Sequence, residues 1–465
     1  MNITGTYGRV ILGGALLATS VGASAQQAVT TQDVDQRLRI LERKLEIEKE
    51  AADAKAKDAT STSFGDKGLS VKKGDFELKI KGLLQGDIRT FLDDEGAFND
   101  TAVLRRLRPT FEGSFGKLVA FRLTPEFAGD SATTVDAYID LKFDPAYTLR
   151  AGKVKGPVSL ERLQSGGAIT FIERGFPTEL APNRDLGLQL QGELFDKTLS
   201  YTLGYYNGTP DGRDAVASDV DSDKEVGFRL FAEPFKNGTS ALQGLGFGVG
   251  SSFGSKDQGA ANAAGSNNFL SRYRTPGQNV FFSYRGAVAA NPNAAPPVAA
   301  SSGVYADGDH VRISPQLYYY NGSFGLLAEH ISSEQELTIN TTSAKLEHTA
   351  YQAVVSYVLT GEDASYRGVA KPANAYQVGG PGWGAFEIAA RYGVLEIDED
   401  AFPVFANPNS AASEAASYAL GVNWYLNSNV KVALNYTDTR FEGGAAGGTD
   451  RNDEKTVFTR LQLAF

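Results

Sequence analysis

Residues 76–92 read FELKIKGLLQGDIRTFL. Phe76, Leu78, Ile80, Leu84 and Ile88 fall on one parity, and Glu77, Lys79, Lys81, Gln85, Asp87 and Arg89 on the other. Successive side chains of a strand point to opposite faces, so this stretch offers one apolar face and one charged face. Strands of soluble sheets average about 5–6 residues. Alternation sustained over ten or more is what a wall between lipid and water requires.

The period persists outward from there. In 133–143, Val135, Ala137, Ile139, Leu141 and Phe143 alternate with Asp136, Tyr138, Asp140 and Lys142. In 185–196, Leu186, Leu188, Leu190 and Leu194 alternate with Gln189, Gln191 and Glu193. Tyr418, Leu420, Val422, Trp424 and Leu426 share one face, as do Val457, Leu461, Leu463 and Phe465. The pattern predicts sixteen strands between 76–92 and 455–465. Short links such as 116–117, 144–146, 321–322 and 427–428 alternate with long ones at 154–184, 208–223, 255–309 and 398–416. This is the rhythm of a transmembrane barrel, with tight turns at one end and long loops at the other. The link 359–383 is long on the side of the tight turns, and the strand-like 278–285 is placed inside a loop to keep the count even. The expected fold is all-β: a 16-stranded antiparallel transmembrane β-barrel over 75–465, with a constriction loop at 154–184 and a long outer loop at 255–309. Tyr205-Tyr206, Tyr318-Tyr319-Tyr320 and Trp424-Tyr425 stand at strand ends, where interfacial aromatic belts belong.

Composition agrees and excludes much chemistry. The 465 residues hold 51 Gly, 20 Tyr and 27 Phe, with no Cys and three His. Disulfides, thiolate nucleophiles and Cys-ligated metals are therefore excluded. His310, His330 and His348 sit near strand ends with no Ser and acidic orienter evident, so a hydrolase is not expected. Neither an enzyme nor a cofactor is expected. A net charge of −10 (45 basic minus 55 acidic residues) argues against a nucleic-acid partner.

Ahead of the barrel, 1–25 reads as a signal peptide: Arg9, the apolar run Val10–Leu17, then Ala23-Ser24-Ala25 as a small-residue cleavage site. Residues 26–58 read as a periplasmic coiled-coil helix, with Val34, Leu38, Leu41 and Leu45 spaced by four and three among charged flanks. The expected role is an oligomerising periplasmic stalk; the alternatives are a solvated amphipathic helix packed on a domain, and a tether whose partner is the peptidoglycan. Residues 59–74, rich in Ser, Thr, Gly and Lys, read as a linker.

If the apolar parity meets lipid, the other parity faces the lumen. That places Arg89, Arg106, Arg108, Arg122, Arg150, Arg229 and Arg391 inside, along with acids such as Glu112, Glu126, Asp136 and Asp140. Arg106 and Arg108 then point the same way about 7 Å apart, at a rise of ~3.3–3.4 Å per residue. Two guanidiniums at that spacing suit handing an anion from one fork to the next. Strict alternation turns Arg105 outward. The long 154–184 link, preceded by Lys153, carries Lys155, Arg162, Arg174 and Arg184. Folded inward, it would narrow the lumen and bring its cations to the opposite wall, as anion pores do.

These residues resemble the phosphate-selective porin O and P family. The likeness is carried by Leu104-Arg105-Arg106-Leu107-Arg108, Thr148–Lys153 running into Ser159-Leu160-Glu161, and Phe171-Ile172-Glu173-Arg174. Tyr357–Glu362, Gly384–Glu387 with Ala390-Arg391-Tyr392, and Asn423–Asn427 complete it. The resemblance implies a homotrimeric sixteen-stranded barrel in the outer membrane of a Gram-negative bacterium, in contact with its lipid. It also implies a lumenal arginine ladder and a third loop folded into the pore. Arg105 and Arg106 match the family's paired constriction arginines, and Arg162 stands where the phosphate-specific members have a loop lysine. Gln164, Ser165, Gly166 and Gly167 replace most of their other loop lysines. Arg108 and Lys155 stand where those members have other residues, an aromatic at Arg108. The expected function is a water-filled channel for small anions, phosphate or polyphosphate foremost. The alternatives are a weakly selective diffusion porin and an envelope tether. The expected anion contacts are Arg89, Arg105, Arg106, Arg108, Arg122, Arg150, Lys153, Lys155, Arg162, Arg229 and Arg391.

Overall fold

A computed structural model describes residues 31–92, 99–215, 219, 221–259, 270–369 and 371–465; the expected signal peptide lies outside them. The chain divides into two units at Ala59/Thr60. The first contains α1, Thr31–Asp58. Asp35–Arg39 and Arg43–Glu46 ion pairs, each 2.9 Å, lace its surface. Its Val34, Leu38, Leu41 and Leu45 form an apolar stripe left about half exposed or more.

The second unit begins where a linker is expected and instead forms a hairpin, β1 (Ser61–Gly65) and β2 (Gly68–Lys73). Phe64, Leu69 and Val71 give these strands their period, which a Ser/Lys-rich composition hides. Gly68, at φ +86°, lacks the Cβ that would strike the Ile80 carbonyl, so the turn can lie against the next strand.

Among the described residues sixteen strands close the barrel. Its first part comprises β3 (Phe76–Phe91), β4 (Thr101–Phe115), β5 (Val119–Glu126), β6 (Thr133–Asp144) and β7 (Tyr147–Val154). After the 155–184 loop come β8 (Asp185–Leu194), β9 (Leu199–Tyr206), β10 (Glu225–Ala232) and β11 (Leu245–Asp257). The next connection contains a separate two-stranded sheet, β12 (Arg272–Arg274) with β13 (Val280–Ser283), so the strand-like 278–285 lies inside a loop. The wall resumes with β14 (Val304–Asn321), β15 (Phe324–Ile339), β16 (Thr342–Val358) and β17 (Ala385–Glu396). It ends with β18 (Ala412–Tyr425), β19 (Val430–Gly443) and β20 (Glu454–Ala464). β3 pairs with β2 over its first residues and with β20 from Leu83 to Phe91, which shuts the cylinder.

Ile88, Ile139, Leu188, Leu203, Ile313, Leu420 and Leu461 project outward and are exposed, as a lipid-facing band requires. Tyr351, Tyr392 and Tyr418 form an outer aromatic row with centroids 6.2 and 4.7 Å apart. Phe386 stacks on Trp424 (5.7 Å) near the opposite rim. The aromatic doublets split, because the two-residue period turns neighbours opposite ways. Tyr205 and Trp424 face out, whereas Tyr206 and Tyr425 are buried inside. Tyr425 donates to Glu387 (2.8 Å).

The bore is half filled. On the β14–β18 side, Leu270, Tyr273, Phe281 and Phe282 of the 258–303 connection pack with Phe176 and Leu180 of the 155–184 loop. They rest against Ile331, Leu337, Leu346, Ala350 and Leu395 of the wall. A second cluster beneath it joins Leu160 and Phe171 to Phe231, Leu327, Val354, Ala389 and Ala419. Tyr366 completes this cluster from the connection between β16 and β17, which is long at the end of the tight turns and tucks inward. Its ring stacks on Tyr318 at 5.3 Å, and its hydroxyl donates to the Leu160 carbonyl (2.6 Å). Its own carbonyl accepts from Gln164 (2.8 Å).

Candidate functional site

The site is the space that this filling leaves open. A chamber of about 840 Å³ lies between the 155–184 loop and the wall formed by β3–β10. Among the described residues its lining includes Lys81, Arg108, Arg122, Arg150, Lys155, Arg184 and Arg229, against only two acids, Asp136 and Glu193.

Glycines on the inward parity make room for the loop. A Cβ on Gly227 would strike the Pro157 ring, and one on Gly250 the Pro157 carbonyl. The loop then turns through α2 (Leu160–Leu163), capped by Ser159, whose hydroxyl accepts from the Arg162 amide (3.3 Å). Glu329 of β15 takes the amides of Leu160 (2.5 Å) and Glu161 (3.2 Å) and the Ser159 hydroxyl (2.9 Å). Anions at a helix N-terminus satisfy its unpaired donors.

The returning arm is pinned by side chains from the first and last strands. Glu173 accepts from Arg89 (2.9 Å), from Arg105 through two bonds (2.6 and 3.0 Å), and from Arg460 (3.4 Å). Arg460 also chelates Asp87 (2.6 and 2.7 Å) and holds the Ile172 carbonyl (2.6 Å). Arg391 donates to the Glu173 carbonyl (2.9 Å), Lys431 to Ile169 (3.2 Å) and Asn423 to Thr170 (2.9 Å). Burial alone would raise the Glu173 carboxyl, but the charge and hydrogen bonds of Arg105, with Arg460 close by, hold it well below the usual carboxylate range.

The sequence-derived residues thus fall into two sets. Arg108, Arg122, Arg150, Lys155 and Arg229 line the chamber. Arg89, Arg105, Arg106 and Arg391 lie on the wall behind the loop, and Arg162, on the loop itself, ties it internally to Asn183 (3.1 Å) and the Thr178 carbonyl. Lys153 belongs to neither, reaching the Ala215 carbonyl in the next connection (3.5 Å).

Two of these placements correct the expectation. Arg105 faces inward, because β3 and β4 shift register between Gln85↔Arg106 and Gly86↔Leu104. Arg105 is the extra residue of a β-bulge, which sets two successive side chains on one face. Arg106 does not share the passage with Arg108. It is 2 % exposed under the loop tip, donating to Gln85 (2.5 Å). Gln85 and Gln462 hold the carbonyls of Gly166 (3.0 Å) and Gly167 (3.1 Å) above it. A side chain at Gly166 would crowd Arg106 Nε at 3.1 Å, so the glycine pair lets the tip close down.

Within the chamber most cations have acid partners. Arg150 grips Asp140 (2.7 and 3.0 Å) and lies over the Tyr138 ring at 3.9 Å. Arg108 binds Glu126 (2.5 Å), and Lys81 binds Glu112. Asp136 is shared by Arg184 (3.2 Å) and Arg122 (4.0 Å). Among the described residues Lys155 donates to the Leu163 and Gln164 carbonyls (3.1 and 2.7 Å), and Arg229 donates to Gln316 (2.9 Å) and lies over the Phe231 ring (4.3 Å). Burial, reinforced by Arg184 and Arg174, pushes the Lys155 amine well below its ordinary value.

Arg184 and Lys81 line the chamber although they were not among the expected contacts; parity marks Lys81 as inward, and Arg184 is a cation of the loop expected to fold inward. The structure also brings together a Ser, a His and an Asp that sequence reasoning kept apart. Ser333 Oγ lies 2.9 Å from His310 Nε2 and donates to Asp211 (2.8 Å). All three are sealed from solvent, and Arg312 engages Asp211 at 2.6 Å. The Ser333 hydroxyl donates to the Asp211 carboxylate, and among the described residues the trio is buried with Arg312. Among the described residues no cluster of acids and histidines is arranged to hold a metal.

Comparison with known proteins points the same way. The model of the family described as "Phosphate-selective porin O and P" matches residues 78–465. Porin O of Pseudomonas aeruginosa is 25% identical over 422 residues, 86% of this chain and 91% of that protein. The outer membrane channel DcaP of Acinetobacter baumannii superposes with a TM-score of 0.50 at 11% identity, covering 85% of this chain and 99% of that one. OmpT of Vibrio cholerae, folded in vitro, gives 0.50 at 11% identity, over 85% and 99%. The barrel, the inward loop and the family match together place this chain in the phosphate-selective porin O and P family, channels of the Gram-negative outer membrane.

Proposed function

We propose that small anions, phosphate among them, cross the outer membrane through the off-centre chamber, and that the cations lining it make the selection. The observation that carries this reading is the cationic surplus of the lining, set where the loop and the filled half of the bore force a solute against the β3–β10 wall. Rings of Arg and Lys at a constriction favour anions, and conduction also requires binding weak enough to release them. The acids paired with Arg108, Arg150 and Arg184 temper each cation accordingly. Arg89, Arg105, Arg106 and Arg391 serve the same selection by holding the loop from the wall, and Arg162 by bracing it from within.

The family relationship and the exposed stripe of α1 support a homotrimer in which three helices share their apolar faces. The same stripe supports a second reading, a tether to peptidoglycan. Removing 26–60 behind an intact signal separates them: a stalk loses oligomer stability, a tether loses attachment, and both keep conductance.

Reversal potentials across a planar bilayer under a potassium chloride gradient test the main reading. A chloride preference is expected, and a cation preference would overturn it.

A further inference from the structure

The packed side of the bore reaches the chamber through one stretch of chain. Residues 209–215, in the connection between β9 and β10, run beside 181–184, the last residues of the constriction loop. The amides of Gly212, Asn183 and Ala215 donate to the carbonyls of Ala181 (2.9 Å), Arg213 (2.8 Å) and Arg184 (2.7 Å), respectively. Backbone bridges at Pro182↔Asp211 and Arg184↔Asp214 complete the pairing. From it the Arg184 side chain extends into the chamber lining, where it meets Asp136 at 3.2 Å. The neighbouring Asn183 accepts from Arg184 (2.7 Å) and from Arg162 (3.1 Å).

Residues 209–215 read Thr-Pro-Asp-Gly-Arg-Asp-Ala, with no large apolar side chain to pack, so polar contacts must seat them. Asp211 supplies most of these. Its carboxylate accepts from Arg312 (2.6 Å), Ser333 (2.8 Å) and Tyr273 (3.2 Å), with His310 Nε2 at 3.4 Å. Its carbonyl accepts from Ser271. Arg312 also holds the Thr209 carbonyl (2.8 Å) and Glu225 (2.8 Å). The partners Ser271, Tyr273, Arg312 and Ser333 stand on or beside β12, β14 and β15, and Arg312 and Asp211 are buried. Charge-assisted bonds of this kind are short and directional, and losing one partner leaves the other buried and unsatisfied. Asp211 itself is not among the described residues that line the chamber.

Resting on the anion-channel reading above, we propose that Asp211 is a positioning residue for selection: it fixes Arg184 in the chamber by tying 209–215 to the packed side of the bore. The packed side then acts on the passing anion although its side chains never touch it. Freed from Asp211, the 209–215 stretch loosens, and the backbone that aims Arg184 loosens with it.

The test uses the full protein in planar bilayers and reads the chloride-to-potassium permeability ratio from reversal potentials. Arg184→Ala and Asp211→Asn should each lower the ratio severalfold. The sign is informative, because removing a negative charge near the passage would by field alone favour anions. Added to Arg184→Ala, Asp211→Asn should lower the ratio no further, since two residues acting through one another are not additive. Ser333→Ala removes one donor to Asp211 and no charge; it should give a smaller fall that also vanishes in Arg184→Ala, and it serves as the test if Asp211→Asn does not insert. Glu454→Gln is the control. Glu454 anchors the 258–303 connection through Thr275 (2.7 Å) and Asn279 (2.6 Å), with no bond to 209–215 among the described residues, so its loss should not lower the ratio. A rise or no change in both Asp211→Asn and Ser333→Ala would overturn the proposal. So would additive losses in the double variant, or an equal fall in Glu454→Gln. An unaltered channel without chloride preference would instead sink the underlying anion-channel reading, so the two failures are distinguishable.

Discussion

Glu173 ties the returning arm of the loop to Arg89, Arg105 and Arg460 at once. Replacing it with Gln leaves Arg89, Arg105 and Arg460 facing an uncharged amide, and breaking a buried charge pair costs about 3–5 kcal/mol. Glu173→Gln should lower the temperature at which the folded barrel loses its compact mobility in detergent gels, and should make single-channel currents noisier. Because Glu173 titrates below its ordinary 4.5, the native state binds fewer protons than the unfolded chain. Its stabilisation is complete above that value and is lost as pH falls below it. Current noise should therefore rise on acidification, and less so in Glu173→Gln. Lys155 behaves oppositely: its lowered value means that charge disappears as pH rises, starting below 10.5, so chloride preference should fall in alkali and stay flat in Lys155→Met. Arg108→Ala and Arg229→Ala should each lower the chloride-to-potassium permeability ratio severalfold. Arg106→Ala, behind the loop tip, should change it far less; reversal potentials distinguish the two cases. Parity alone marked Arg108, Arg122, Arg150 and Arg229 as inward. It failed at Arg105 because a bulge depends on the partner strand's register, which no single stretch of sequence contains.

At the scale of elements, the strands were legible because lipid on one side and water on the other enforce a period of two over their whole length. The loops were not. Whether the residues after Val154 fold outward or inward is decided by Gly227 and Gly250, whose missing side chains admit Pro157. Gly250→Val should expel that arm and widen the passage, seen as larger conductance with reduced chloride preference. The β16–β17 connection looked anomalous by length, and the structure gives it a purpose: Tyr366 props the loop from below. Tyr366→Ala removes that prop and its stacking partner for Tyr318, so open-state current should fluctuate between levels. Single-channel recording checks this. The β1–β2 hairpin was missed because short edge strands with polar composition carry little periodic signal.

At the scale of the molecule, the β14–β18 side of the cylinder is packed like a protein interior and the chamber lies on the β3–β10 side. Removing α1 should leave conductance and selectivity per channel unchanged while oligomers dissociate at lower temperature, because the chamber draws its lining from the barrel unit only. The side chains that hold Glu173 have a further consequence, for biogenesis. Arg89 and Asp87 lie near the start of the cylinder, Arg460 lies at its end, and they meet one another and the loop only where those two edges join. Until that seam zips, the filter has no seat. Closing the cylinder is thus a precondition for docking the loop, and a barrel held open at that seam is expected to lack the narrowed passage.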